Sequence, residues 1–242
     1  MYIHAHFFLK EAPQSTSHYK KALAELSKIN MRRANKFNLL SVYGALSCMR
    51  DITLSKRLGI YLSSEHGPVE SLKNVLTQVS QENGVVMPFD FLGINTNASF
   101  YVFQALNAQG KHMMLTSHHL SFEKALELAF FDLQTASVED ALIGYVDESL
   151  TFIQDYETYT PNEHNTHLDM SLWLYANTTK ENAIAHIKSC ESFETLESLN
   201  QAHPNLPRIT SPEAILHTHD DALYVAHDEQ GKYVAMKITR GM

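Results

Sequence analysis

A chain of 242 residues with 44% hydrophobic side chains is long enough to bury a sizeable core, as one large domain or two small ones. Its 27 acidic residues outnumber 19 basic ones for a net charge of -8, and basic residues cluster only at Arg32–Arg33, which works against a nucleic-acid or anionic-membrane partner. The two cysteines, Cys48 and Cys190, stand far apart without CxxC spacing, so neither a disulfide framework nor a zinc site is suggested, as suits a reducing cytosol.

The first predicted element is a strand over Tyr2–Leu9. Its apolar run Phe7-Phe8-Leu9 lacks the basic start, long apolar core and small-residue cleavage site of a signal peptide. No stretch approaches the roughly 20 apolar residues that span a bilayer, so a soluble, cytoplasmic protein is expected. A helix follows over 34–50, carrying Phe37, Leu40, Ala45 and Leu46, then a strand over Leu58–Ser63. A second helix over 68–80 opens with Pro68, and a third spans Ala98–Leu106. After a strand over Lys111–Thr116, Ser121 is placed to cap a fourth helix whose Phe122, Ala125, Leu126, Ala129, Phe130 and Leu133 recur at helical spacing. A strand over Asp140–Val146 ends this part. Strands alternating with helices predict an α/β layered domain with parallel strands joined by covering helices.

Past Glu148 the composition turns polar, and 155–169 reads as a surface loop. A strand at Met170–Tyr175 and a helix at Lys180–Cys190 are expected next. Ala222–His227 and Tyr233–Thr239, joined by a turn at Asp228–Gly231, predict a closing hairpin. One domain over 1–242 is expected, with a core in 1–148 and a C-terminal part in 149–242.

Several groupings invite chemistry. His164, His167 and Asp169, and His217, His219, Asp220 and Asp221, have spacings that suit a divalent metal, but both lie in polar stretches without a fixed third or fourth ligand and read as solvated loops. Ser63-Ser64-Glu65-His66-Gly67 sets a serine, a carboxylate and a histidine side by side, yet adjacent residues rarely converge as a triad. Cys48, among apolar neighbours, reads as core packing.

Four segments taken in order carry more. RLGIYLSSEHGPVESL (Arg57–Leu72), MPFDFLGINTNASFYVFQALNAQG (Met87–Gly110), KHMMLTSHHLSFEKALELAFFDL (Lys111–Leu133) and EDALIGYVDE (Glu139–Glu148) resemble the N-terminal half of β-ketoacyl synthases, in the thiolase superfamily. The resemblance implies a thiolase-like layered αβα fold, approximately the N-terminal half of a ketosynthase, with a C-terminal β-hairpin. Counted without gaps from Gly110 forward and from Gly144 and Asp147 backward, His119 falls where the family has its nucleophilic cysteine, beside Ser117 and His118. An imidazole stores an acyl group at best as a labile acyl-imidazole, whereas the family's thiolate forms a thioester at a strand-to-helix turn.

A short, cysteine-less chain of this type is similar to a chain length factor of a type II polyketide or aryl-polyene-type synthase. That resemblance implies a heterodimer with a full-length ketosynthase, work on acyl and malonyl groups carried by acyl carrier protein in fatty-acid or polyketide biosynthesis, no catalysis by this chain alone, and no metal or organic cofactor. It also implies that Met113, Met114 and Leu115 form an edge strand pairing with the partner, and that Phe100 and Phe103 cap an acyl tunnel at that interface. Two other readings stand beside it: a stand-alone acyltransferase or thioesterase using His119, Ser117 or Cys48, and a homodimeric acyl-binding protein.

Overall fold

The computed structural model describes residues 1–32, 34–81, 84–94, 97–159, 166–218 and 220–241, with only the backbone of Phe89 and Tyr159. The chain opens with β1 (Tyr2–Glu11) and α1 (Thr16–Leu26), capped by Ser15, whose hydroxyl accepts from His18 N. Next come α2 (Lys36–Cys48), β2 (Leu58–Ser63), α3 (Val69–Gln81), α4 (Pro88–Gly93), α5 (Ala98–Ala105) and β3 (His112–Leu115). The middle holds α6 (Ser121–Gln134), β4 (Asp140–Asp147), α7 (Tyr156–Tyr159), β5 (Asp169–Asn177) and β6 (Ala185–Phe193). The last elements are α8 (Leu196–Ala202), β7 (Arg208–Ile209), a 3-10 turn at Pro212–Leu216, β8 (Ala222–His227) and β9 (Tyr233–Arg240).

The strands form one nine-stranded sheet in the order β3-β2-β4-β5-β1-β6-β9-β8-β7. β2 pairs in parallel with both β3 and β4, as expected of strands joined by crossover helices. From β4 onward the pairing turns antiparallel, through β5, β1, β6, β9 and β8. Helices cover the β2–β5 region from both sides. On one face Phe37, Leu40, Val42 and Val102 of α2 and α5 pack on Leu58, Ile60, Leu142 and Trp173. On the other, Phe122, Leu126, Ala129 and Leu133 of α6 pack on Tyr61, Ile143 and Leu174. Each such large side chain taken from water contributes about 1.5–3 kcal/mol, which is why this layered part holds its shape.

Trp173 sets the spacing between layers. It pairs with Gly144 across β4 and β5, and a Cβ at Gly144 would lie 2.6 Å from the indole. A Cβ at Gly44 of α2 would collide with the same ring and with Ser171. Two glycines thus let a strand and a helix approach one buried indole closely.

The structure corrects several expectations. The segment 180–190, expected as a helix, contains the start of β6: Ala185 and Ile187 are buried with the half-buried His186 between them, and from Ala185 to Phe193 the strand pairs with β9. α1 was not expected, because only Tyr19 and Leu23 of its 11 residues are buried. The polar stretch 155–169 holds α7, and its last residue, Asp169, begins β5. Ser121 is the first residue of α6 and not its cap; Leu120 holds that place. The hairpin forms as expected, closed by Asp228 N–H to Lys232 O and by Gly231 at φ +80°.

Asp169 anchors a buried polar cluster. Its Oδ1 pairs with Lys36 Nζ at 2.7 Å and accepts from Ser149 N, and its Oδ2 accepts from Gln14 N and from Tyr19 Oη at 3.0 Å. Among the described residues, no helix is long and apolar enough to cross a membrane.

Candidate functional site

Parallel strands deliver their carboxyl ends to one edge of a sheet, and in open α/β folds ligands bind there. Here Ser63, Leu115 and Asp147 end β2, β3 and β4 side by side. The loops after β2 and β3 carry Ser64–Pro68 and Thr116–Leu120.

Asp147 organises the first loop. Its Oδ1 accepts from Ser64 Oγ at 2.5 Å and from His66 N at 3.0 Å, and its Oδ2 accepts from Glu65 N at 3.1 Å. Ser64 Oγ also accepts from Gly67 N at 2.7 Å, and Gly67 sits at φ +69°. The serine in Ser63-Ser64-Glu65-His66-Gly67 is therefore engaged in shaping a turn around a carboxylate.

The turn so formed directs Glu65 at His119. Glu65 Oε1 lies 2.6 Å from His119 Nδ1, and Glu65 Oε2 accepts from Tyr145 Oη at 3.5 Å. On the far side of the imidazole, Glu229 Oε1 lies 3.5 Å from Nε2. Glu229 belongs to the β8–β9 turn, so the C-terminal hairpin reaches the β3–α6 elbow. The elbow is locked from within: Ser121 Oγ accepts from Ser117 N at 2.8 Å and donates to His118 O at 2.7 Å, while His118 adopts φ +46°. Such a backbone costs a non-glycine residue energy and persists only where neighbours enforce it. His118 is exposed; Ser117 and His119 are half-buried.

One turn into α6, Glu123 is buried against β8. Its Oε1 accepts a short hydrogen bond from Tyr224 Oη, its Oε2 has no hydrogen-bond partner among the described residues, and burial pushes its carboxyl up to about 7. The negative charge of Glu65 adds to that rise, while the Tyr224 bond opposes it. Burial and the carboxylates of Asp147 and Glu65 hold the Tyr145 phenol well above its ordinary range. The cluster therefore holds neutral phenols and a carboxyl whose titration is moved up toward neutrality.

Phe100, Phe103, Met113, Met114 and Leu115 lie along the outer edge of the layered half. Among the described residues, β3 pairs with β2 alone and stands at the edge of the sheet. Met113 and Leu115 face the α6 layer, and Met114 faces α2 and α5. The Phe100 and Phe103 rings both approach His112, with centroids 5.9 and 4.8 Å away, and His112 Nδ1 lies 3.2 Å from Ser99 Oγ. Sequence reasoning named the phenylalanines but missed the histidine that joins them to β3. It also missed the Glu65–His119 and Glu123–Tyr224 pairs; an acidic residue four after His119 on the apolar face of a helix was the available signal for the latter.

Neither cysteine lies near this elbow in sequence. Burial pushes the Cys48 thiol, in α2, up to about 12, and burial with Glu127 nearby does the same to Cys190 in β6. Among the described residues, no three His, Cys, Asp or Glu side chains gather as metal ligands. His164 and His219 of the two metal-like groupings lie outside the described residues.

No family model matches the chain, and no curated protein does. Solved structures do. The ishigamide ketosynthase/chain length factor superposes with a TM-score of 0.75 at 10% identity, covering 100% of this chain and 99% of that one. A β-ketoacyl synthase from Burkholderia phymatum STM815 gives 0.74 at 10% identity, with the same coverage. The ketosynthase ApeO in complex with its chain length factor ApeC, from Xenorhabdus doucetiae, gives 0.63 at 16% identity, covering 99% of this chain and 100% of that one. The likeness runs through residues 149–242 as well as the segments that carry the sequence resemblance. The chain adopts the thiolase-like fold of ketosynthases and chain length factors.

Proposed function

We propose that this chain is the non-catalytic, chain-length-determining partner of a full-length ketosynthase in a heterodimeric β-ketoacyl-ACP synthase of the polyketide or aryl-polyene type, acting in the cytoplasm. The observation that carries the proposal is the clamped imidazole at the elbow. Where the resemblance calls for a thiolate, His119 has Nδ1 on Glu65 at 2.6 Å and Nε2 facing Glu229 at 3.5 Å. Both ring nitrogens face carboxylates, and an imidazole stores an acyl group at best as a labile acyl-imidazole. Cys48, pushed up to about 12, stays a thiol at neutral pH and is no substitute.

In this role the ketosynthase supplies the cysteine and the acyl carrier protein presents acyl and malonyl groups. The free edge of β3 pairs with the partner, and Phe100 and Phe103 close the far end of the acyl tunnel. A tagged chain isolated from its native host should carry a ketosynthase with an intact cysteine at one to one, and that pair should condense carrier-bound malonyl units while this chain alone does not. A chain that emerges only with itself, or that turns over acyl thioesters unaided, would overturn the proposal.

A further inference from the structure

Eight of the ten large apolar side chains that stand exposed among the described residues fall between Leu72 and Phe100. On α3, Leu72, Leu76 and Val79 repeat at i, i+4 and i+7 and so share one face, while the buried Ser71 and Val75 occupy another. Beside it, Met87, Phe91 and Leu92 expose the outer side of α4, with Leu76 58%, Phe91 59% and Leu92 65% accessible. These two helices are held to each other and to the body. Gln78 Nε2 donates to Asp90 Oδ2 at 2.6 Å, Met87 N donates to Gln78 Oε1 at 2.8 Å, and Asn35 Nδ2 donates to Gly93 O at 2.8 Å. Scattered surface leucines need no explanation, but a concentrated, positioned ridge does.

The ridge leads to the β3 edge, because Phe100, its last member, touches His112 of β3. β3 is four residues long. A stable interface takes about 800 Å² and 20–30 residues from each partner, far more than such a strand supplies. From this we infer that the α3–α4 ridge is part of the docking surface for the ketosynthase subunit, giving the apolar core of an interface whose register the β3 edge sets. The inference rests on the heterodimer reading above. Between 71 and 94 the only charged residues are Lys73, Glu82 and Asp90. That leaves the ridge without the basic rim that an anionic bilayer would attract, and fits an apolar protein face.

The test uses the full chain and the ketosynthase that elutes with it, identified by its intact cysteine. Binding is measured for wild type, for the double variant L76E/F91E, and for L196E, which places the same charge on an exposed leucine of α8. The double variant should melt like wild type, since both side chains already face solvent, yet bind about thirtyfold more weakly or worse, while L196E binds normally. Wild-type affinity in the double variant would overturn the ridge inference and leave the heterodimer standing. Failure of wild type to form a one-to-one complex would remove the heterodimer itself, and the ridge inference with it. A wild-type homodimer broken by L76E/F91E, or flotation of the chain with phosphatidylglycerol vesicles, would assign the ridge to another occupant and overturn the inference.

Discussion

Replacing Glu123 by Gln should flatten the dependence of stability on pH. The native carboxyl sits at about 7 against an ordinary 4.5, chiefly because burial penalises the charged form. The folded state therefore binds more protons than the unfolded chain between these values, so stability is fully present below about 4.5 and is lost as pH rises through about 7. At 1.36 kcal/mol per tenfold change in proton affinity, the loss is about 3 kcal/mol once the group ionises. A glutamine keeps a carbonyl to accept from Tyr224 Oη but never ionises. Urea unfolding at intervals from pH 5 to 9 should show the variant gaining on wild type as pH rises, by about 3 kcal/mol at the top of the range and by much less at pH 5. Glu148, pushed up to about 8 by burial, adds a second descending component that the variant retains. Parallel curves for wild type and variant would refute the assignment of a proton to Glu123.

Lys36→Met should destabilise the fold by about 3–5 kcal/mol, because it leaves Asp169 buried without its cation, and a denaturant titration at neutral pH reads that loss. Gly144→Ala drives a methyl into the Trp173 indole and should cost about 1–3 kcal/mol, seen as a lower melting temperature with altered Trp fluorescence. Phe103→Ala, in the heterodimer, should lengthen the acyl product without abolishing synthesis; an unchanged product distribution by mass spectrometry would remove Phe103 from the tunnel.

Periodicity found the layered half because its elements bury continuous faces. β2 and β4 are buried along almost their whole length, and α6 repeats its apolar residues every three to four positions. It failed where burial was thin or the partner remote. β6 alternates weakly and is completed by β9, some fifty positions later, so its strand character lies in the pairing more than in its composition. The site divides the same way. His119 was placed by counting along the chain. The carboxylate that holds it comes from the β2–α3 loop and the one facing its other nitrogen from a hairpin turn, and no spacing rule brings those three segments together.

The elbow also distinguishes a lost activity from a hidden one. For His119 to carry an acyl group, one ring nitrogen must be unprotonated and reachable. Nδ1 is occupied by Glu65 and closed to attack, which leaves Nε2, opposite an exposed Glu229 at 3.5 Å. Glu229→Ala removes the outer carboxylate and leaves the inner one in place. If the clamp were the only bar to acylation, this variant should take up acyl groups from a thioester, with the leaving thiolate released as the N–acyl bond forms. An acyl-imidazole hydrolyses readily, so that uptake would register as continuous thiol release. Neither wild type nor Glu229→Ala is expected to release thiol above the uncatalysed rate, because Glu65 still occupies Nδ1 and, in the proposed heterodimer, the ketosynthase supplies the nucleophile. Thiol release that appears with Glu229→Ala and vanishes in the double variant with His119→Ala would show instead that the elbow keeps a latent acyl-transfer chemistry, and would overturn the non-catalytic reading.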